Sequence, residues 1–232
     1  ISHETIYRHV LKDKKAGGRL YTHMRIMSKR VRKRYNGKDS RGVLAGKRHI
    51  SQRPAEVEQR LRVGDWEGDT VMGSDKRACV LTLVERRSGL AVIKKLTART
   101  AEQATWATAH AIAEHRENIH TITFDNGTEF HNYKVLEGVF PVTCYFATPY
   151  HSWERGSNEN LNGLLRQYLP NGTCMRPLTQ KECDRIANEL NTRPRKRHGY
   201  KTPLEVYHAS GGLLHFNVES TPLLLIVRPH AK

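Results

Sequence analysis

Four cysteines stand far apart in these 232 residues, at Cys79, Cys144, Cys174 and Cys183, and no two form a Cys-x-x-Cys pair. That spacing argues against a zinc knuckle or a disulfide framework and fits a reducing cytoplasm. No apolar run approaches the ~18 residues that would read as a membrane span. The opening stretch, ISHETIYRHV, lacks the charged, apolar and small-residue succession of a secretory signal. It also lacks a methionine, so a fragment of a longer protein is expected. There is no internal repeat and, one basic run apart, no low-complexity block. The thirteen histidines show no pairing with acids or cysteines at ligand spacing, and most read as surface residues.

Acidic residues are also scarce: 23 Asp and Glu against 39 Lys and Arg, a formal charge of +16. The excess is local. Residues 1–64 carry a net charge of +13, and the remaining residues only +3. A near-neutral body with a basic N-terminal arm points to a polyanionic partner, most often nucleic acid. Within the arm, Arg25, Lys29, Arg30, Arg32, Lys33 and Arg34 crowd into ten residues, a strip suited to DNA phosphates.

The pattern along the chain is mixed α/β. ISHETIYRHVL reads as a short helix capped by Ser2, with Ile6, Val10 and Leu11 on one face. Residues 13–63 read as a basic linker, with a short helix starting near Pro54. From Gly64 onward, WEGDTVMG, ACVLTLVER and LAVIKKL form three strands of an antiparallel meander. A helix over 100–115, a strand over 120–124, a helix over 129–138, a strand over 142–147 and an amphipathic helix over 157–169 follow. Residues 211–232 read as an irregular extension with room for one strand.

The acids decide the chemistry. Phosphoryl transfer needs in-line positioning and neutralised phosphate charge, and two divalent cations held by carboxylates provide both. Asp69 lies in the first strand, and Asp125 ends the fourth in TFDNGTEF. Asp-Asn-Gly is also a turn signal, so position alone does not assign it. If the two strands are neighbours, the acids sit side by side at one sheet edge. On the last helix Leu161, Leu164, Leu165 and Tyr168 share the face toward the sheet, and Glu159, Asn162, Gly163 and Arg166 share the other.

Taken in order, WEGDT, TFDNGTEF and PYHSWERGSNENLN resemble the three catalytic blocks of the retroviral-integrase and DDE-transposase superfamily. Within it, RPAEVEQRLRVGDWEGDTV, TPYHSWERGSNENLNGLLRQYLPNGT and LNTRPRKRHGYKTPLEV resemble the bacterial insertion-sequence-thirty family. The resemblance covers most of residues 50–207. It implies an RNase H-like fold, a five-stranded mixed sheet with helices on both faces, preceded by the basic arm. The implied layout is a remnant of a helix-turn-helix over 1–12, the linker over 13–63, the catalytic core over 64–210 and the extension over 211–232.

The implied triad is Asp69, Asp125 and Glu159, holding two Mg²⁺ ions for which Mn²⁺ substitutes. The activity it implies is cleavage at insertion-element ends and 3′-hydroxyl strand transfer into target DNA, in the bacterial cytoplasm at the nucleoid. The partners are double-stranded DNA and further copies of the chain, with no membrane. The alternatives are a nuclease without strand transfer and a truncated or domesticated DNA-binding protein. Asn126, Arg155, Asn162 and Arg166 are expected to contact DNA, as are Arg195, Lys196 and Arg197 in a second basic strip. Asp65 and Glu67 have no counterpart in the triad and read as surface or supporting acids.

The arm generates a first prediction. Neutralising the six basic residues between Arg25 and Arg34 flattens the salt dependence of duplex binding. The log–log slope should fall by roughly 0.9 for each phosphate that the arm no longer neutralises. A salt titration that leaves the slope unchanged shows the arm to be merely solvated.

Overall fold

The strand Cys79–Glu85 (β2) is buried along its whole length, and its alternation organises two layers. Cys79, Leu81 and Leu83 face one core, whereas Val80 and Val84 face the other, as a strand with two covered faces requires. The computed structural model describes residues 2–24, 46–75, 77–115, 119–149 and 151–210. In it, β2 lies between β1 (Asp65–Met72) and β3 (Ala91–Leu96), antiparallel to both. On the far side of β1, β4 (Thr121–Phe124) and β5 (Thr143–Phe146) run parallel to it. The sheet order is β3-β2-β1-β4-β5, so the expected five-stranded mixed sheet is present with β1 at its centre.

The helices Ala101–Glu114 (α3) and Tyr133–Val139 (α4) cover one face. Ala104, Ala107 and Ala111 of α3 meet Trp66, Leu81 and Leu83 there, together with Ile122 and Phe124. The helices Gly156–Leu165 (α5) and Gln180–Asn191 (α6) cover the other. Leu161, Leu164 and Leu165 of α5 and Ile186 and Leu190 of α6 pack on Val71, Val80, Val84 and Ile93. Burying this many branched side chains contributes ~1.5–3 kcal/mol each before entropy is counted.

Two boundaries differ from the sequence reading, and two helices are additional to it. The helix expected over 129–138 begins only at Tyr133, because residues 128–130 form a 3-10 turn that buries Glu129 and Phe130. The last core helix stops at Leu165, and Leu169 then folds back into the core. Helix α6 and the helix Pro203–Ala209 (α7) were not anticipated. Both carry complete capping boxes, Thr179 with Glu182 and Thr202 with Glu205, which were visible as T-x-x-E.

The chain divides into two compact units, residues 1–40 and 41–232. The first contains the helix His3–Lys15 (α1), capped by Ser2 as expected, with Lys12, Lys14 and Lys15 at its C-terminal end, where cations suit the helix dipole. Of the expected apolar face, Val10 is buried while Ile6 and Leu11 are exposed. In the second unit, residues 46–63 pack against the sheet instead of forming a free linker. Phe146 N–H donates to the Arg48 carbonyl, Tyr133 Oη donates to Gly46, and the short helix Ala55–Glu58 (α2) follows Pro54. The basic residues 25–34 and the extension 211–232 lie outside the described residues. Among those described, no helix is long and apolar enough to cross a membrane.

Gly68 leaves room on β1 for the Phe124 ring of the neighbouring strand β4. A Cβ at this position would lie 2.5 Å from the Phe124 ring, the side chain just before Asp125. Gly68→Ala is expected to cost about 1–3 kcal/mol through overpacking, read as a fall in the urea midpoint. A variant as stable as the parent means the ring moves aside freely.

Candidate active site

The two strand acids meet because of register. β1 and β4 are parallel, with Asp65 opposite Thr121 and Glu67 opposite Thr123. Continued by two residues, that register brings Asp69 level with Asp125. Each acid spends one oxygen locally: Asp69 Oδ1 accepts from Thr70 N at 2.9 Å, and Asp125 Oδ1 accepts from Gly127 N at 2.8 Å. The second oxygens face one guanidinium. Arg155 Nη1 lies 3.7 Å from Asp69 Oδ2, and its Nη2 lies 3.9 Å from Asp125 Oδ2. The same Nη1 donates to the Gly68 carbonyl at 3.0 Å. Arg155 is buried, so its charge is directed at the acids and not at solvent.

The tight Asp-Asn-Gly turn is required by crowding. A Cβ on Gly127 would fall between the Glu129 carboxylate and Asp125 Oδ1. Glu129 is buried beneath this loop. Its Oε1 accepts from Thr70 Oγ1 at 2.7 Å and from Arg99 Nε at 2.8 Å, tying the loop to β1. Asn126, expected to shape the turn and to contact DNA, is half-buried, and its side chain is engaged within the fold. Its amide donates to the Ala147 carbonyl, and Lys47 Nζ donates to its Oδ1 at 3.3 Å.

Helix α5 lies over the pair. Asn162 donates to Asp69 Oδ2 at 2.8 Å, and its own carbonyl accepts from Thr82 Oγ1 at 3.1 Å. Arg166 turns to the carbonyls of Leu169 and Met72, at 3.3 and 3.4 Å. Glu159 is exposed and lies three residues before Asn162 on the same side of the helix. Among the described residues, no group of three His, Cys, Asp or Glu side chains is placed to hold a metal ion. What the fold assembles is a pair of carboxylates sharing one cation, with a third acid one turn along the adjoining helix. Such hard oxygen donors suit Mg²⁺, which is held by few protein carboxylates.

In the second basic strip, Arg195 donates to the Leu190 carbonyl at 2.8 Å. Arg197 lies 3.4 Å from the Arg87 carbonyl, and Lys196 is exposed. Before α5, Trp153 is exposed and stacks on His151, with ring centroids 4.3 Å apart.

Of the two readings the sequence left open for Asp65 and Glu67, surface or supporting acids, the structure shows the second; what sequence reasoning missed is their burial and their arginine partners. Alternation puts Asp65, Glu67 and Asp69 on one face of β1. Asp65 and Glu67 are fully buried, as supporting acids are. Each acid has its own arginine: Arg62 lies 3.0 Å from Asp65, Arg86 pairs with Glu67, and Arg155 stands beside Asp69. The signal was available as D-x-E-x-D, because acids at period two on a covered strand demand cations. Burial raises the Asp69 pKa above the ordinary aspartate range. Arg155 opposes that shift, and Asp125 adds to it.

No protein-family model matches the chain. Sequence relatives are clear. It is 42% identical over 207 residues to the transposase for insertion sequence element IS4351 of Bacteroides fragilis, covering 89% of this chain and 64% of that protein. It is 37% identical over 212 residues to the transposase for IS1086 of Cupriavidus metallidurans, covering 89% and 62%. It is 35% identical over 212 residues to the transposase InsI for IS30A of Escherichia coli K12, covering 89% and 55%. The chain thus spans less than two thirds of the length of these curated relatives. Among solved structures, the catalytic core of BIV integrase superposes with a TM-score of 0.51 at 21% identity, over 64% of this chain and 96% of that one. A simian T-cell lymphotropic virus intasome gives a TM-score of 0.53 at 20% identity, over 69% and 59%. The fold is therefore that of the integrase catalytic core, RNase H-like as expected.

The raised Asp69 pKa sets a pH dependence. The folded protein keeps this proton where the unfolded chain has lost it, so stability falls as pH rises through the window just above the ordinary aspartate range. In chelator, the stability of the parent minus that of Asp69→Asn is expected to decline across that window in urea unfolding. A flat or rising difference contradicts it.

Proposed function

We propose, from the premise that this chain is a sequence relative of the transposases of bacterial insertion sequences, that its second unit carries out phosphoryl transfer on DNA. The observation that carries the reading is the convergence of Asp69 and Asp125, from two parallel strands, on one buried guanidinium beneath the helix bearing Glu159. Two carboxylates held together in partial burial repel each other and call for positive charge. Arg155 provides some of it.

Asp69, Asp125 and Glu159 would hold Mg²⁺, with Mn²⁺ as a substitute. Bound there, the metal supplies neutralisation of the phosphate oxygens and activation of the attacking oxygen. The remaining work falls to the chain. Asn162 orients the Asp69 carboxylate through its 2.8 Å hydrogen bond. The Asx turn from Asp125 to Gly127 fixes the second acid. Glu129 braces that turn from below.

On this reading water attacks a phosphodiester at the element end, the bond from phosphorus to the 3′-oxygen breaks, and a 3′-hydroxyl is freed. That hydroxyl then attacks a target phosphodiester and displaces the target's own 3′-oxygen. No protein nucleophile is needed. Positively charged residues of the arm, with Lys196, supply phosphate contacts that position DNA without reading its sequence. Holding two DNA ends together calls for more than one copy of the chain.

Incubation of purified protein with labelled element-end duplex and Mg²⁺ tests this. Asp69→Asn, Asp125→Asn and Glu159→Gln are each expected to abolish cleavage while leaving duplex affinity within about twofold, because affinity rests on phosphate contacts elsewhere. Near-parental cleavage by any one variant removes that acid from the triad. A pre-cleaved 3′-hydroxyl end that is never joined to target DNA reduces the protein to a nuclease.

A further inference from the structure

Glu67 is a fully buried carboxylate to which the proposed chemistry gives no part. It lies on β1 between Asp65 and Asp69, on the face covered by α5. Both of its partners are donors: the Arg86 guanidinium on Oε1, and the backbone N–H of Asn158 on Oε2 at 2.9 Å. Arg86 is itself anchored, donating to the Val57 carbonyl at 3.2 Å and to Glu58 at 3.3 Å.

Asn158 belongs to the first turn of α5, where backbone N–H groups have no helical acceptor, and it directly precedes Glu159. The helix has no side-chain cap of its own. Glu67, from a different element, satisfies one of these donors and places negative charge at the positive end of the helix dipole.

The second attachment is Asn162 to Asp69. The two contacts are four residues apart on the helix, about 6 Å of rise, and two residues apart on the strand, about 6.6 Å. The lengths match, so α5 runs alongside β1 pinned at both ends of one turn. Glu159 sits between the pins.

We infer that Glu67 is a positioning residue: by holding the Asn158 N–H it fixes the height of Glu159 relative to Asp69, and so builds the third arm of the metal-binding triad. The inference rests on the function proposed above. A glutamine at this position always turns its NH₂ toward one of two donors, which breaks either the pin or the Arg86 contact. An aspartate keeps the charge opposite Arg86 but withdraws from the helix by one methylene.

Glu67→Gln and Glu67→Asp are to be compared with the parent, the aspartate variant being the one that keeps the buried ion pair. Amide hydrogen exchange of residues 157–160 should accelerate in both. Mn²⁺ affinity without DNA, by calorimetry, and the cleavage kcat should each fall about 10–100-fold, the usual range when a group orienting a metal ligand is changed. The KM for DNA should hold within about twofold, since phosphate contacts set it. A folded variant with faster exchange but parental Mn²⁺ affinity and kcat shows a purely structural role and overturns the inference, as does unchanged exchange. A parent that neither binds Mn²⁺ nor cuts DNA overturns the proposed function and with it Glu67's part. An active parent with unaffected variants overturns Glu67 alone.

Discussion

A central strand with three carboxylates on one covered face is the constraint around which the second unit is arranged. Left unpaired, Asp65, Glu67 and Asp69 would face desolvation costs that no core of this size could absorb. Three arginines from three separate segments meet them: Arg62 before the strand, Arg86 from the end of β2 and Arg155 ahead of α5. The geometry follows from those pairings. Residues 50–60 close against the sheet because Arg53 and Arg86 share Glu58 there, and Arg53 also reaches Thr123 of β4 at 3.0 Å. Paired buried ions of this kind contribute little net stability compared with apolar packing. Their value here is in specifying one arrangement of strand against helix.

Much of the scaffold was legible from periodicity. The CVLTLVE run alternates between two cores, and Leu161, Leu164 and Leu165 reach the sheet at helical spacing. Asp125 was readable as a strand-end acid, and parallel pairing of β4 with β1 brings it level with Asp69. What escaped was directional. Asn126, Asn162 and Arg166 look like surface donors in a linear sequence. In the fold their side chains turn to Ala147, to Asp69 and to the carbonyls of Leu169 and Met72. Spacing indicates which side of a helix a residue occupies. It does not tell whether that side meets solvent or a strand end.

The acids and the basic arm are kept apart along the chain. Nearly all the positive excess lies in residues 1–64, whereas the body is close to neutral. Attraction to a polyanion and chemistry on it can therefore be tuned separately, the first with salt and the second with the carboxylates. The buried arginines are committed to acids: Arg53 pairs with Glu58, Arg86 with Glu67, and Arg155 stands beside Asp69 and Asp125. The internal cations serve the sheet, not the solvent-facing field.

The parallel pairing of β1 with β4 also dictates an order of events. The meander β1-β2-β3 closes through short turns, but β4 reaches β1 only after the crossover through α3, and α5 follows still later in the chain. Contacts between residues distant in sequence form slowly, because loop closure must precede any gain from pairing. During synthesis, then, the meander can collapse while Asp69 still lacks its neighbour. The acid pair comes into being only once β4 has been made and docked on β1, and the shared Arg155 and the helix bearing Glu159 arrive later still, so a nascent chain that ends short of α5 has no completed site to act with.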